Sequence, residues 1–183
     1  MTMVDLWRVA LAAALLLLAA YGAQASSDAT DPAAAAALAV ARGPVTHLPL
    51  PRFVSMRGDT ANARRGPSLD QRVDWEFVHR GLPLEITAEY GQWRRVRDAD
   101  GAGGWVHSAL LSGIRTALVQ GTAPVPLRAG PGGATAVRAM AEPGVVGRLR
   151  ACDGSWCEIS ADGVEGWLPR QAIWGVGPDE TVE

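Results

Sequence analysis

The chain has 183 residues, a formal net charge of −2 and 48% hydrophobic residues, much of that from alanine near the N-terminus. This length allows one or two domains. The near-neutral charge provides no field that would gather nucleic acid or an anionic membrane. Lys and Arg together number 17, and all are Arg.

The first 25 residues have the layout of a secretory signal. Arg8 gives the basic start, and Val9 to Ala20 form an apolar run. Ala23-Gln24-Ala25 is a small-x-small cleavage site, with Ser26 as the mature start. The apolar run falls short of the ~20 residues that span a bilayer, so an uncleaved anchor is the weaker alternative. No Cys follows the run to carry a lipid. The reading is an exported, periplasmic protein with no membrane insertion after signal cleavage.

Residues 26–51 read as a linker rich in Ala and Pro. Asp31 suits a helix N-cap and Pro32 a first helical position, so Ala33 to Arg42 could form a short helix ending at Gly43-Pro44. The first module is expected at 52–118. Phe53-Val54 opens a strand, Ala61 to Arg64 leads into Gly66-Pro67, and Arg65 to Asp74 is a long loop. Trp75, Phe77 and His79 alternate with Glu76, Val78 and Arg80, which suggests a strand. Leu84 to Glu89 and Gln92 to Arg97 flank a hairpin tip at Tyr90-Gly91. Asp98 to Gly101 turns into Gly103 to His107, and Ser108 is placed to cap a tight turn over Ala109 to Ser112.

The same order returns at 119–177. Ala123 to Arg128 leads to Gly130-Pro131-Gly132-Gly133, and strands are expected over Ala136 to Glu142, Val145 to Ala151, Cys157 to Ser160 and Val164 to Leu168, followed by a tight turn from Pro169 to Ile173. Residues 178–183 form an acidic tail, and the stretch from Gly175 onward is expected to fray. Trp93 matches Trp156, Gly104-Trp105-Val106 matches Gly166-Trp167-Leu168, and Arg64-Arg65-Gly66-Pro67 matches Arg128-Ala129-Gly130-Pro131. The offsets lie between 62 and 64 residues, as two copies of one unit with small indels would give. Short strands with frequent turns predict an all-β chain of two small closed barrels. Units of this size sit near the lower limit for independent folding, so a staple is expected in each.

The Arg-x-Gly-Pro signature, the Gly-Trp or Ser-Trp hairpin and the Gly-Trp-Val strand with its following short helical turn resemble the bacterial SH3-like domains. The stretches WRRVRDADGAGGWVHSALLSG, EPGVVGRL and CDGSWC carry the likeness. It is nearest to the tandem members in exported proteins of Gram-negative bacteria, and it covers residues 50–178. The resemblance implies two tandem SH3-like β-barrels, a periplasmic setting, no catalysis and a link to cell-wall binding.

Cys152 and Cys157 flank the turn Asp153-Gly154, which sets them across a hairpin tip. An oxidising compartment favours a disulfide, and their spacing is not that of a C-x-x-C redox pair. A ring this short is worth about 2 kcal/mol. No His lies in this module to complete a zinc site. The offset of 63 puts Glu89 and Arg94 at the equivalent positions, an opposite-charge pair worth about 0.2–1 kcal/mol across a hairpin.

Trp105 and Trp167 are expected to fill the barrels. Trp93 and Trp156 precede Val96 and Ile159 by three residues, so they face the other way, toward solvent or a rim. Arg95 and Arg97 share the face of Trp93, and Arg64 and Arg65 lie in the nearby loop. Trp93, Trp156 and these four Arg are the candidate ligand-binding residues. They suit a carboxylate-bearing, partly apolar ligand such as a peptidoglycan stem peptide or another envelope peptide. A structural adaptor docking an envelope protein is the alternative, and a cell-wall hydrolase the weaker one. No Gly-x-Ser-x-Gly or paired nucleophile and base stands out, and His47, His79 and His107 are scattered. Asp59, Asp98 and Asp100 lack the Glu that completes a calcium loop and read as turn residues. No metal or cofactor is expected. Intact mass of the exported protein should correspond to a start at Ser26; a start at Met1 in the membrane fraction would overturn the localisation.

Overall fold

The computed structural model describes residues 41–182, so the signal and most of the expected linker lie outside the described residues. Two antiparallel sheets of seven strands follow one another along the chain. The first holds β1 (Arg52–Met56), β2 (Ala61–Arg64), β3 (Val73–Phe77), β4 (Pro83–Tyr90), β5 (Trp93–Arg97), β6 (Gly103–His107) and β7 (Leu111–Ser112). The second holds β8 (Thr116–Val119), β9 (Val125–Arg128), β10 (Val137–Ala141), β11 (Val146–Asp153), β12 (Trp156–Ala161), β13 (Val164–Pro169) and β14 (Ile173–Trp174). Their strand orders are β3-β2-β6-β5-β4-β1-β7 and β10-β9-β13-β12-β11-β8-β14, the same path twice. These are the two small barrels that the repeat predicts and that the resemblance implies are SH3-like. β8 pairs with β11 and β14, so the second barrel opens at Thr116 and the division falls ahead of the expected 118/119.

Each sheet encloses its own core. Leu84, Ile86, Val96 and Val106 anchor the first, and Leu149, Ile159, Leu168 and the two cysteines the second. The copies conserve volume by exchanging partners across a ladder. Ala61 faces Phe77 in β2–β3, whereas Val125 faces Ala141 in β9–β10. One pair is small–large and the other large–small, the kind of swap that a tight core tolerates.

The Gly-Trp motif has a steric cause. A Cβ on Gly104 would lie 2.6 Å from the carbonyl oxygen of Arg64, and one on Gly166 would lie 2.9 Å from Cβ of Leu127. Glycine there lets β6 cross closely over β2, and β13 over β9. The tryptophans that follow are not the core fillers. Val106 and Leu168 are fully buried, whereas Trp105 and Trp167 are half-buried on the opposite face. The strand period of two settles this: Val and Leu point in, so Trp points out. The tight turn after β6 is a single 3-10 turn capped by His107, whose ring accepts from the Ala109 amide, rather than by Ser108. His79 falls outside β3, which ends at Phe77.

Cys152 and Cys157 face each other in register and form the disulfide. Glu89 and Arg94 face each other at the equivalent place. That pair is far from a surface ion pair. The Glu89 side chain has no exposed area. It accepts from the Val45 amide at 3.1 Å, the Thr46 amide at 2.9 Å, Thr46 Oγ1 at 2.6 Å and Arg52 Nη2 at 2.6 Å, with Arg94 Nε at 3.6 Å. Residues 41–51 are therefore no free linker. Arg42 bridges to Pro49, the Leu50 amide donates to the Ala41 carbonyl, and the loop between them is clamped onto the first barrel through Glu89.

The C-terminal stretch is docked as well, contrary to the expected fraying. The Cys152 amide donates to the Val182 carbonyl at 2.9 Å, and Glu180 pairs with Arg115. Arg170 donates to the carbonyls of Gly154, Gly177 and Glu180. The two barrels also touch directly. Thr116 Oγ1 donates to the Gly81 carbonyl at 2.6 Å. Gly175, at φ 119°, has no room for a Cβ between the Thr116 carbonyl and Pro83.

Burial by itself would raise the Glu89 pKa, but the hydrogen bonds from Thr46, Arg52 and Val45 outweigh it and hold the group at about 2. A lowered folded-state value means stability that is present above the ordinary glutamate value and lost as pH falls toward 2. Thermal melts should show the first barrel weakening between pH 4.5 and 2. Glu89→Gln should remove that pH dependence and cost about 3 kcal/mol at neutral pH, because it leaves Arg52 and Arg94 without their counter-ion. A variant that melts like the parent at both pH values would refute the clamp.

Candidate functional site

Trp93 opens β5 and Trp156 opens β12, each beside a hairpin tip. Both are half-buried, and Val96 and Ile159 three residues on are fully inside, so each indole lies on a rim as the strand period predicts. The register places His107 directly across from Trp93, and the rings meet edge to face at 5.4 Å. The His107 ring also bonds Gln92 Oε1 at 2.9 Å. Since Nδ1 accepts from the Ala109 amide, Nε2 carries the proton given to Gln92. Pro169 stands across from Trp156 in place of the histidine.

In the first barrel Trp93 and His107 form the wall shared by two adjoining hollows. One, of about 270 Å³, is lined further by Asn62, Arg64, Leu69 and Leu110. The other, of about 520 Å³, runs along Pro67, Ser68, Asp70 and Gln92. In the second barrel Trp156 walls a cleft of about 610 Å³ with Ser155, Pro169, Arg170, Gln171 and Pro178, and no counterpart of Arg64 or the 67–70 loop lines it. The docked tail supplies Val176 and Pro178 to its wall. The Arg170 guanidinium is spent on three carbonyls, so it shapes this cleft rather than offering free donors.

The arginines of the candidate set divide. Arg64 stays with Trp93; its Nη1 donates to the Gln71 carbonyl at 2.7 Å and pins the 65–72 loop that forms the cleft's other lip. Arg65 turns away to Asp74, which it shares with Arg72. Those two guanidiniums hold the Asp74 carboxyl below its ordinary value. Arg95 and Arg97 project from the same side of β5 as Trp93, but they line a separate hollow with Thr87 and Gly101. Arg97 also pairs with Glu85 and lies 5.5 Å from the Trp174 ring of the second barrel. No single Trp-and-Arg face is formed; Trp93 keeps Arg64 and gains His107, Gln92, Asp70 and Asn62. From the sequence His107 is set aside as scattered, although the pairing of the Gly-Trp-Val-His strand with Trp93 places the histidine opposite it. Asn62 comes from the outer face of β2, while Asp70 reaches the cleft by loop folding, which leaves no periodic mark.

Among the described residues no group of His, Cys, Asp and Glu is placed to hold a metal. Asp98 serves the turn, accepting from the Asp100 and Ala102 amides. Asp59 pairs with Arg80 on the surface. Among the same residues no helix is long and apolar enough to cross a membrane.

Two copies of one strand path, each with a Trp rim cleft, define a tandem binding-domain architecture. The family described as the bacterial SH3 domain matches residues 57–113 and again 121–175. The chain belongs to that family, twice over. Among solved structures it is similar to the NlpC2 protein of Trichomonas vaginalis, with 14% identity, a TM-score of 0.32 and 68% of this chain against 48% of that one. The NlpC1 protein of the same organism gives 13% identity, a TM-score of 0.32 and 74% against 50%. The chain thus spans about half the length of these two proteins. No curated protein matches it.

Core and rim should separate by stability. Leu168→Ala empties a fully buried site and should cost about 3 kcal/mol. Trp93→Ala should cost on the order of 1 kcal/mol or less, as at a rim. Trp105→Ala and Trp167→Ala should fall between them. Thermal melts of the four variants decide it, and an equal loss for Trp93→Ala and Leu168→Ala would make Trp93 a core residue.

Proposed function

We propose that the chain is a non-catalytic tandem binding module of the bacterial cell envelope that holds peptidoglycan at its two Trp rim clefts. The observation that carries this reading is the placement of Trp93 and Trp156 at equivalent rim positions of both barrels, each walling an open cleft. An indole face stacks on a sugar ring or an apolar peptide side chain, and the neutral donors and acceptors around it fix orientation. Around Trp93 these are Asn62, Gln92 and His107, with Arg64 as the cation for a stem-peptide carboxylate. Around Trp156 they are Ser155 and Gln171. Two weak sites on one rigid frame would bind a polymer more tightly than either alone, because the second contact is made at high effective concentration. The disulfide supports an oxidising, periplasmic location.

Cosedimentation with purified sacculi tests the reading. The protein should pellet with sacculi. Trp93→Ala and Trp156→Ala should each weaken binding about tenfold or less, and the double variant should lose it almost wholly. A parent protein that stays in the supernatant, or a double variant that pellets normally, would sink it.

A further inference from the structure

Trp93 and His107 stand between two hollows of opposite charge. Along Pro67, Ser68, Leu69, Asp70 and Gln92, the larger hollow has one formal charge, the Asp70 carboxylate. Asp70 accepts from the Ser68 hydroxyl at 3.2 Å and forms no ion pair among the described residues. The smaller hollow also has one formal charge, the Arg64 guanidinium, and Arg64 is equally free of ion pairs among those residues. Its Nη1 holds the Gln71 carbonyl, and the Gln71 amide donates to Ser68, which folds the loop so that Asp70 stands at the lip. His107 adds no charge to the shared wall. Its Nδ1 accepts from the Ala109 amide and its Nε2 donates to Gln92, so the ring is neutral. The second barrel lacks this arrangement. Asp70 is matched there by Ala134, at the offset of 64 that matches Pro67 with Pro131. No carboxylate lines the Trp156 cleft, and its one guanidinium, on Arg170, is spent on three carbonyls.

We propose, building on the rim-cleft reading above, that the first barrel takes the zwitterionic end of a peptide: a residue with a free side-chain ammonium and a free carboxylate. The ammonium lies in the larger hollow, between the Trp93 indole and the Asp70 carboxylate. The carboxylate lies in the smaller hollow, against Arg64. An aromatic wall beside one unpaired carboxylate attracts a cation and repels an anion. Arg64 has donors beyond the one given to Gln71, and these suit a carboxylate. A ligand of one charge would satisfy one hollow and leave the other facing a neutral group. A ligand with both charges lies across the Trp93 and His107 wall and meets its complement on each side. The Trp156 cleft, with no carboxylate and no free guanidinium, takes an uncharged stretch instead. The two barrels therefore read different parts of one ligand.

The test titrates the whole protein with N-acetyl-alanyl-lysine, which carries a free ammonium and a free carboxylate on one residue. Two blocked forms are compared, one acetylated at the side-chain amine and one amidated at the carboxyl. The readout is the Trp93 indole N–H resonance, assigned by its loss in Trp93→Phe. The free dipeptide should shift that resonance and leave the Trp156 indole unmoved. Each blocked form should bind about tenfold more weakly, as the loss of one charge-assisted hydrogen bond gives. Asp70→Asn keeps the size of an exposed side chain and its acceptor for Ser68, so the melting temperature should hold. The same variant should bind the free dipeptide about tenfold more weakly and lose the preference over the amine-acetylated form. The proposal is overturned if millimolar dipeptide leaves the Trp93 resonance unmoved, if the amine-acetylated form binds as well as the free one, or if Asp70→Asn keeps the preference. The outcome is separable from that of the sacculus experiment. Sacculi that pellet the parent, with a dipeptide that leaves Trp93 unmoved, would sink the zwitterion site alone. A dipeptide that shifts Trp93, with sacculi that pellet nothing, would sink peptidoglycan binding alone.

Discussion

The Glu89 carboxylate has no exposed surface, and four hydrogen bonds from Val45, Thr46 and Arg52 converge on it. Burying a charge is costly unless such donors surround it, so the 41–51 loop cannot leave without stranding the carboxylate. The second barrel solves the same problem at the same register. There Cys152 stands at the place of Glu89, bonded to Cys157, and its amide holds the Val182 carbonyl. Each barrel is thus stapled at the tip of its central hairpin, and each chain end of the described region docks on that staple. Two units with cores of only nine or ten buried side chains depend on this.

The docked ends in turn make the surfaces. The tail brings Val176 and Pro178 to the Trp156 cleft, and the loop brings Pro49 and Pro51 to a groove between the barrels. Arg170 and Arg115 hold the tail from both sides through carbonyls and Glu180. The contacts of Thr116 with Gly81, and of Gly175 with Pro83, leave the barrels little freedom to slide. A pair held this way presents its two rim clefts at a set spacing, as the proposed binding of a repeating polymer requires.

The copies have diverged around the two rim indoles and kept what makes the fold. Gly104 and Gly166 answer one steric demand, the close crossing of strands. The Ala61–Phe77 and Val125–Ala141 exchange keeps the volume between the strands. His107 against Pro169, and Gln92 against Ser155, give the two clefts different polarity around the same indole.

The repeat, most of the longer strands and the hairpin staple were legible in the sequence, because they rest on local rules: turn residues, the side-chain period of two, and the offset of 63 that set Glu89 beside Arg94 as it set Cys152 beside Cys157. The same period misled only where burial was assigned by residue type. Trp105 and Trp167 were expected inside for their size, yet the neighbouring Val106 and Leu168 took the inner face, since adjacent strand residues cannot both point in. The fate of Arg65, Arg95 and Arg97 was not legible, because each went to a partner that only folding brings near: Asp74, a separate hollow, and Trp174 of the other barrel. The docking of the 41–51 loop and of the tail was equally hidden. Neither segment has a periodic pattern, and what holds each is a long-range acceptor or donor, Glu89 in one case and Arg115 in the other, which only the tertiary structure supplies.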